Sequence, residues 1–235
     1  MTVIEETERE LLSKLFELEG LGITSDEYAG NNNFLEYYKK YSDQVSFENG
    51  YVTAPYPLKS TVQNLADNYG TALKRLMNLY THLGKSNIQK EWSKTLNQYE
   101  DDDVIERVEG KAPGSVGVYY MPHSGMWRPH KPKPLRVIFD APSKRKGQLS
   151  LNDVTYKGES LVSKIHDILI ASRTCKIILV CDIEAAFTQI RLKESHKDLC
   201  RFLWLKDASK PPTQDNIIEY RFKRTLSERS RRPAF

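Results

Sequence analysis

Apolar and polar positions follow two different periods along this chain. Up to about residue 103 the apolar residues recur every three or four positions, as on one face of a helix. From residue 104 onward they form short β-branched runs bounded by Pro and Gly, which are typical of strands. The first pattern predicts helices over 5–18, 26–41, 63–83 and 86–100, with a short strand over 44–53. The second predicts strands over 104–108, 116–121, 135–140, 175–182, 200–206 and 217–223, with one helix over 159–172. The predicted fold class is α+β.

The apolar faces of the predicted helices indicate where a core would form. In the central helices this face carries Leu65, Leu73, Leu76, Leu79 and Tyr80. In the helix over 159–172 it carries Leu161, Ile165, Ile168 and Leu169, which we expect to point inward. The acidic run 100–103 is interpreted as a solvated turn, because like charges so close together repel one another into water.

The apolar run 177–181, which follows Lys176, leads directly into Asp182. A run of this length predicts a buried strand, and a carboxylate at its end is costly to bury without a cation or hydrogen-bond donors. Asp182 is therefore either a metal ligand or the N-cap of a following helix, since Asp is a favoured cap. The local sequence leaves both interpretations open.

Composition places the chain among globular proteins. Its 235 residues are 28% charged and 39% hydrophobic, enough for one large or two small domains with a core. The sequence contains no 18-residue apolar window and its acidic start differs from a signal peptide, so we expect no transmembrane segment, no secretion and no membrane partner. Three cysteines without a C-x-x-C pair indicate reduced thiols in the cytoplasm or nucleus.

Charge is distributed unevenly along the chain. Residues 1–103 carry 17 acidic and 10 basic side chains, whereas residues 111–147 carry eight basic and one acidic. A basic block of this kind either contacts phosphates or forms a solvated face. A second basic block follows at 221–232.

Five segments in this order resemble the reverse transcriptases of BEL/Pao-type LTR retrotransposons. They are Tyr119–His123, Leu135–Ser143, Leu149–Asp153, Asp182–Arg191 and Arg201–Trp204. A further segment, 16–23, resembles the stretch between the protease and polymerase of a Pao polyprotein. The resemblance spans roughly residues 10–224. It implies a helical connecting region over 1–103, reverse-transcriptase-like fingers with an incomplete palm over 104–224, and an aberrant, disordered basic tail over 225–235.

The resemblance implies an RNA-directed DNA polymerase, a nucleotidyltransferase that uses two Mg²⁺ ions. Its partners are an RNA/DNA template–primer and a deoxynucleoside triphosphate. Asp182 matches the metal-binding aspartate, assisted by the backbone carbonyl of Ile183. Phe187 matches the residue that excludes the ribose 2′-hydroxyl, with core packing as the alternative. Gln189 matches a position that we expect to be structural.

The resemblance also assigns residues of the basic block. Arg136 corresponds to the arginine that contacts the triphosphate, a suitable type because its guanidinium binds phosphate in a bidentate way. Asp140 is expected to orient Arg136 or to face the template. Lys131 and Lys133 are alternative candidates for a fingertip contact. The expected template contacts are Trp127 by stacking, and Lys144, Arg145 and Lys146 through the backbone unless these three form a solvated loop.

The sequence departs from a working polymerase in one decisive respect. No adjacent aspartate pair follows Asp182, and one carboxylate cannot hold two Mg²⁺ ions. We therefore expect this chain to be inactive in isolation, to hold Mg²⁺ poorly, and to aggregate through an incomplete palm sheet. Residues from Thr225 onward are interpreted as an out-of-frame or misspliced sequence. The alternatives are a non-catalytic nucleic-acid-binding or interaction protein and, less favoured, a metal-dependent hydrolase built on Asp182 and Glu184.

Overall fold

The computed structural model describes residues 32–48, 50–83, 88–131, 134–156, 163–183 and 186–225. These residues form a mixture of helices and sheets, which confirms the α+β class. The chain divides into two compact units, one made of 1–43 and 157–184, the other of 44–156 and 185–235. The predicted helix over 5–18, Lys133, Glu184 and most of the basic tail lie outside the described residues. Within the described part, no helix is both long and apolar enough to cross a membrane.

The elements follow one another in a mixed order. The helices are α1 (Asn32–Ser42), α2 (Tyr69–Leu83), α3 (Ile88–Asp101), α4 (Leu151–Val154) and α5 (Ile165–Ser172). The strands are β1 (Ser46–Glu48), β2 (Tyr51–Ala54), β3 (Ile105–Arg107), β4 (His123–Trp127), β5 (Leu135–Phe139), β6 (Ile190–Leu192), β7 (Arg201–Leu205) and β8 (Ile217–Phe222). Short 3₁₀ turns lie at Ser60–Asn64, Ala186–Gln189, Glu194–Cys200 and Gln214–Asn216.

The described residues of the second unit form three small sheets. One has the order β1-β2-β6, with β2 parallel to β6, and another is the antiparallel sheet β3-β8-β7. The third is the antiparallel hairpin β4–β5, in which His123 opposes Phe139 and Trp127 opposes Leu135. The predicted strand over 44–53 is therefore two strands, β1 and β2, joined through a turn at Gly50, which has a φ of 79°.

The core of the second unit lies between α2, α3 and these sheets. Ala72, Leu76 and Leu83 of α2 are buried, and the other apolar residues predicted for this face pack around the core. The indole ring of Trp92 in α3 stacks on Trp204 of β7 with 5.5 Å between ring centroids. The predicted helices over 63–83 and 86–100 and their apolar face are thus confirmed, although the first helix begins only at residue 69.

In the second unit, one predicted strand does not form and one strand forms that was not predicted. Residues 116–121 are extended but make only a single bridge, between Tyr120 and Arg201. Their backbone N–H groups bond to several segments: Tyr119 donates to the Asp198 carbonyl before β7 at 2.9 Å, and Tyr120 donates to the Asp67 carbonyl at 2.8 Å. Conversely, β4 forms inside the segment interpreted as a Pro-rich connection, because β5 supplies it with a pairing partner.

The structure of the first unit differs from the prediction more than that of the second unit does. The run 176–182 forms no strand, and the exposed fractions of Leu179 and Val180 are 91% and 93%. Ile165, Ile168 and Leu169 of α5, predicted to point inward, are also exposed. The physical reason is the absence of a partner: among the described residues, no strand lies beside 176–182 to complete a sheet. The prediction of a buried strand here is wrong.

Candidate nucleotide and nucleic-acid site

The middle of the β4–β5 hairpin packs closely on α3. Gly125 lies directly over the buried ring of Trp92, and an added Cβ would come within 2.4 Å of that ring. The alternate residues Leu135 and Val137 are buried, so one face of β5 lies against the core. The opposite face of the hairpin is therefore available to solvent, and it carries the basic side chains.

His123 fastens the base of the hairpin, the end opposite its tip, to β7. Its Nε2 donates to the Leu203 carbonyl at 2.8 Å, which leaves Nδ1 as an acceptor with no partner among the described residues. The imidazole is buried among Trp92, Phe202 and Trp204. Complete burial lowers the pKa of His123 to about 4, because the charged form would lose its hydration.

Arg136, the second residue of β5, points away from the core. It is exposed, opposes Met126 across the hairpin, and forms no ion pair with any described residue. Its charge reaches Tyr99 of α3: burial raises the pKa of Tyr99, and the nearby Arg136 works against that rise. Arg136 is thus a cation without a carboxylate partner in this part of the chain, as an anion-binding residue requires.

Asp140 has a different partner from the one that the sequence suggested. Its Oδ2 accepts a hydrogen bond from Arg75 of α2 at 3.2 Å. No hydrogen bond or ion pair joins Asp140 to Arg136 among the described residues. Asp140 therefore ties the end of β5 to α2, and the predicted orientation of Arg136 by Asp140 is not seen.

The described residues of the hairpin tip carry basic and aromatic side chains. The backbone N–H of Lys131 donates to the Arg128 carbonyl at 3.0 Å, and that of Arg128 donates to Pro134 at 2.6 Å. Lys131 and Trp127 are both exposed, the indole of Trp127 to 41%. An exposed aromatic ring followed along the chain by exposed basic side chains is a combination that suits a base and its phosphate.

The three consecutive basic residues at 144–146 each lie in a different environment. Lys144 forms an ion pair with Asp153 at 2.5 Å, and this contact, with the hydrogen bonds from Ser150, lowers the pKa of Asp153 to about 2. The guanidinium of Arg145 lies against Gly70 at the start of α2. Lys146 is exposed and makes no ion pair within the described residues. Of these three basic residues, only Lys146 has no structural role among the described residues.

Asp182 and Ile183 belong to the first unit. The Asp182 carboxylate is exposed and accepts a hydrogen bond from the N–H of Ile183 at 3.0 Å. No cluster of three or more His, Cys, Asp or Glu side chains that could hold a metal occurs among the described residues. A single exposed carboxylate does not match the donors that two Mg²⁺ ions need, so we derive no metal-dependent step for this chain.

Phe187 and Gln189 lie in the second unit, in the 3₁₀ turn before β6. The ring of Phe187 is 54% exposed, which argues against the core-packing alternative. Its backbone carbonyl accepts a hydrogen bond from the Thr225 hydroxyl, and the Thr188 carbonyl accepts one from Arg224 at 3.0 Å. Gln189 closes the turn with an exposed side chain. The turn is therefore fixed by the residues that follow β8.

Sequence reasoning missed a role for Asp103. The acidic run does end in a turn, but Asp103, with a φ of 57°, pairs with Lys223 and lies 3.9 Å from both Arg191 and Arg224. The hydrogen bond from Lys223 holds the pKa of Asp103 below its usual range. Arg191 also stacks over the Tyr51 ring at 3.7 Å. These contacts join β6 to β3 and β8.

Sequence reasoning also missed a buried charge cluster around Asp198. This carboxylate is fully buried and accepts from the Ala112 N–H at 2.8 Å, Arg201 at 2.9 Å and Arg221 at 3.1 Å. Burial alone would raise the pKa of Asp198, but these donors outweigh it and lower the pKa. Arg201 further donates to Glu219 at 3.1 Å. In the sequence, the only sign of this cluster was an Asp and an Arg three residues apart at the start of an apolar strand.

Comparison with known proteins identifies no family for this chain. No protein-family model matches it, and a search of the curated proteins finds no match.

Proposed function

We propose that this chain is part of the reverse transcriptase of a Pao-like retrotransposon polyprotein, and that it does not polymerise DNA by itself. The proposal is based on the order and spacing of the five segments that resemble the family. It gains support from the β4–β5 hairpin, whose strand β5 carries Arg136 as an exposed cation with no ion pair among the described residues. That arrangement suits contact with a triphosphate or a nucleic-acid backbone.

The absence of polymerisation follows from the carboxylate count. No adjacent aspartate pair follows Asp182 in the 235 residues. Phosphoryl transfer of this kind depends on metal ions held by several carboxylates at one site. We therefore assign to this chain the binding of a template–primer and assign no chemical step to it.

A second candidate function is a non-catalytic nucleic-acid-binding protein derived from the same ancestor. It is favoured by the exposed side chains Arg128, Lys131 and Lys146, which lie on the hairpin tip and the loop after β5 without ion pairs among the described residues. Both candidates require nucleic-acid binding by these exposed basic side chains. They differ in whether Arg136 also recognises a nucleoside triphosphate.

The experiment is salt-dependent binding of a labelled RNA–DNA primer–template to the whole chain. We expect the logarithm of the affinity to fall linearly with the logarithm of salt concentration, because phosphate contacts release counterions. Replacing Arg128, Lys131 and Lys146 by Ala should reduce the slope by about one for each lost phosphate contact.

The matched control replaces three other exposed lysines, Lys90, Lys94 and Lys206, by Ala. It removes the same charge from the second unit and should leave most of the binding in place. Equal loss in both variants would refute a specific surface. To separate the two candidates, dTTP should raise the melting temperature of the chain, and this rise should disappear in Arg136→Ala. No effect of dTTP would favour the binding protein over the polymerase part.

A further inference from the structure

We propose that two copies of this chain associate through residues 176–182, which pair as antiparallel strands with Leu179 on the two-fold axis. This association goes beyond the proposed function and does not depend on polymerase ancestry. It is inferred from the exposure, the composition and the charges of this one segment.

The segment has the composition of a strand but lacks a partner. It contains Ile177, Ile178, Leu179 and Val180, all exposed, and includes neither Pro nor Gly. Among the described residues no strand pairs with it. Segments with high β-propensity, low net charge and free backbone groups favour pairing with an identical segment of another molecule.

The charges of the segment select the direction of pairing. Lys176 stands at one end and Asp182 at the other, with five uncharged residues between them. In a parallel in-register pair, Lys176 would oppose Lys176 and Asp182 would oppose Asp182, which is unfavourable. In the antiparallel pair centred on Leu179, each Lys176 opposes an Asp182 of the other copy, so two opposite-charge pairs form.

The same register also matches the apolar positions. Ile178 opposes Val180 on the face that carries the two charge pairs, and Ile177 opposes Cys181 on the face of Leu179. Successive side chains alternate between faces, so a shift by one residue would break both charge pairs and move every side chain relative to its partner. The charge pattern therefore specifies one register.

A two-stranded ribbon alone is marginal in water, and further apolar surface is needed for a lasting dimer. The same unit exposes four apolar side chains on α5, namely Ile165, Ile168, Leu169 and Ile170. We expect a reversible dimer whose population depends on concentration.

The test is the association constant of the whole chain, measured by analytical ultracentrifugation over a range of concentrations. Lys176→Asp alone and Asp182→Lys alone each turn two attractive pairs into repulsive ones and should weaken association by about tenfold or more. The double variant restores both pairs with the charges exchanged and should recover the wild-type constant. Lys206→Asp, an equal charge change on an exposed lysine of the other unit, should leave the constant unchanged.

Cross-linking distinguishes the antiparallel register from the alternatives. In a background of Cys175→Ser and Cys181→Ser, Leu179→Cys should form a disulfide between two copies, because position 179 faces itself. Ile178→Cys should not, since it faces Val180. Cross-linking at both positions would indicate parallel pairing and overturn the proposal. A chain that stays monomeric, or association that ignores the charge exchange, would overturn it as well.

Discussion

The burial of His123 gives the second unit a pH-dependent stability that can be calculated. Folding removes this imidazole from water and lowers its pKa from 6.5 to about 4. The unfolded chain therefore binds a proton more readily than the folded chain between these two values. Stability attributable to this residue is complete above about pH 6.5 and is lost as the pH falls toward 4.

The size of the effect follows from the difference in pKa. One pKa unit corresponds to about 1.4 kcal/mol. A pKa of about 4 in the folded state predicts that the free energy of unfolding falls by about 2 kcal/mol between pH 7 and pH 5, and by about 3 kcal/mol by pH 4. Burial also lowers the pKa of His196, so part of the total change in the wild type comes from that residue.

Urea denaturation followed by tryptophan fluorescence measures this directly. The rings of Trp92 and Trp204 lie 5.5 Å and 5.7 Å from the His123 ring and report on its surroundings. The variant His123→Phe should lose about 2 kcal/mol of pH dependence between pH 7 and pH 5. Val137→Ala, a buried position of the same hairpin without an ionisable group, should be destabilised by a similar amount at both pH values.

The pH dependence of the stability of His123→Phe, compared with that of the wild type, decides whether His123 titrates as a buried group. If His123→Phe keeps the whole wild-type pH dependence, His123 does not titrate as a buried group. The packing of the hairpin base described above would then be incorrect.

Three further predictions concern packing and charge. Asp198→Ala should cost about 3–5 kcal/mol in urea denaturation, because it leaves two arginines near the core without their shared carboxylate. Gly125→Ala should cost about 1–3 kcal/mol by forcing the hairpin away from the tryptophan ring beneath it, whereas Gly110→Ala, with open space around it, should cost far less. Lys144→Ala should raise the pKa of Asp153 from about 2 toward 3.8, as measured by NMR titration, and an unchanged pKa would contradict their ion pair.

The apolar periodicity of the sequence was sufficient to predict those elements whose own residues carry the pattern of burial. The apolar face of α2 and the runs of β5, β7 and β8 were predictable because each carries its burial pattern in its own residues. β4 was not, since its residues are not typical of a strand. It forms because β5 pairs with it and because Gly125 allows it to lie close to Trp92.

The run 176–182 illustrates the opposite failure. Its residues favour a strand, but a strand needs a neighbour to accept its hydrogen bonds, and sequence reasoning does not supply that neighbour. The residues of the candidate site were likewise predicted one at a time, without knowledge of their neighbours in space. The ion pairs of Lys144 with Asp153 and of Asp140 with Arg75 were not foreseen, because they depend on contacts between distant parts of the chain.

The most direct test of the central claim follows a labelled DNA primer annealed to an RNA template, mixed with the chain, Mg²⁺ and all four deoxynucleoside triphosphates. Native electrophoresis reports binding, and denaturing electrophoresis of the same samples reports extension. We predict that the primer–template is bound in a salt-dependent way and that the primer is not extended. Extension of the primer, or the absence of any binding at low salt, would contradict the account.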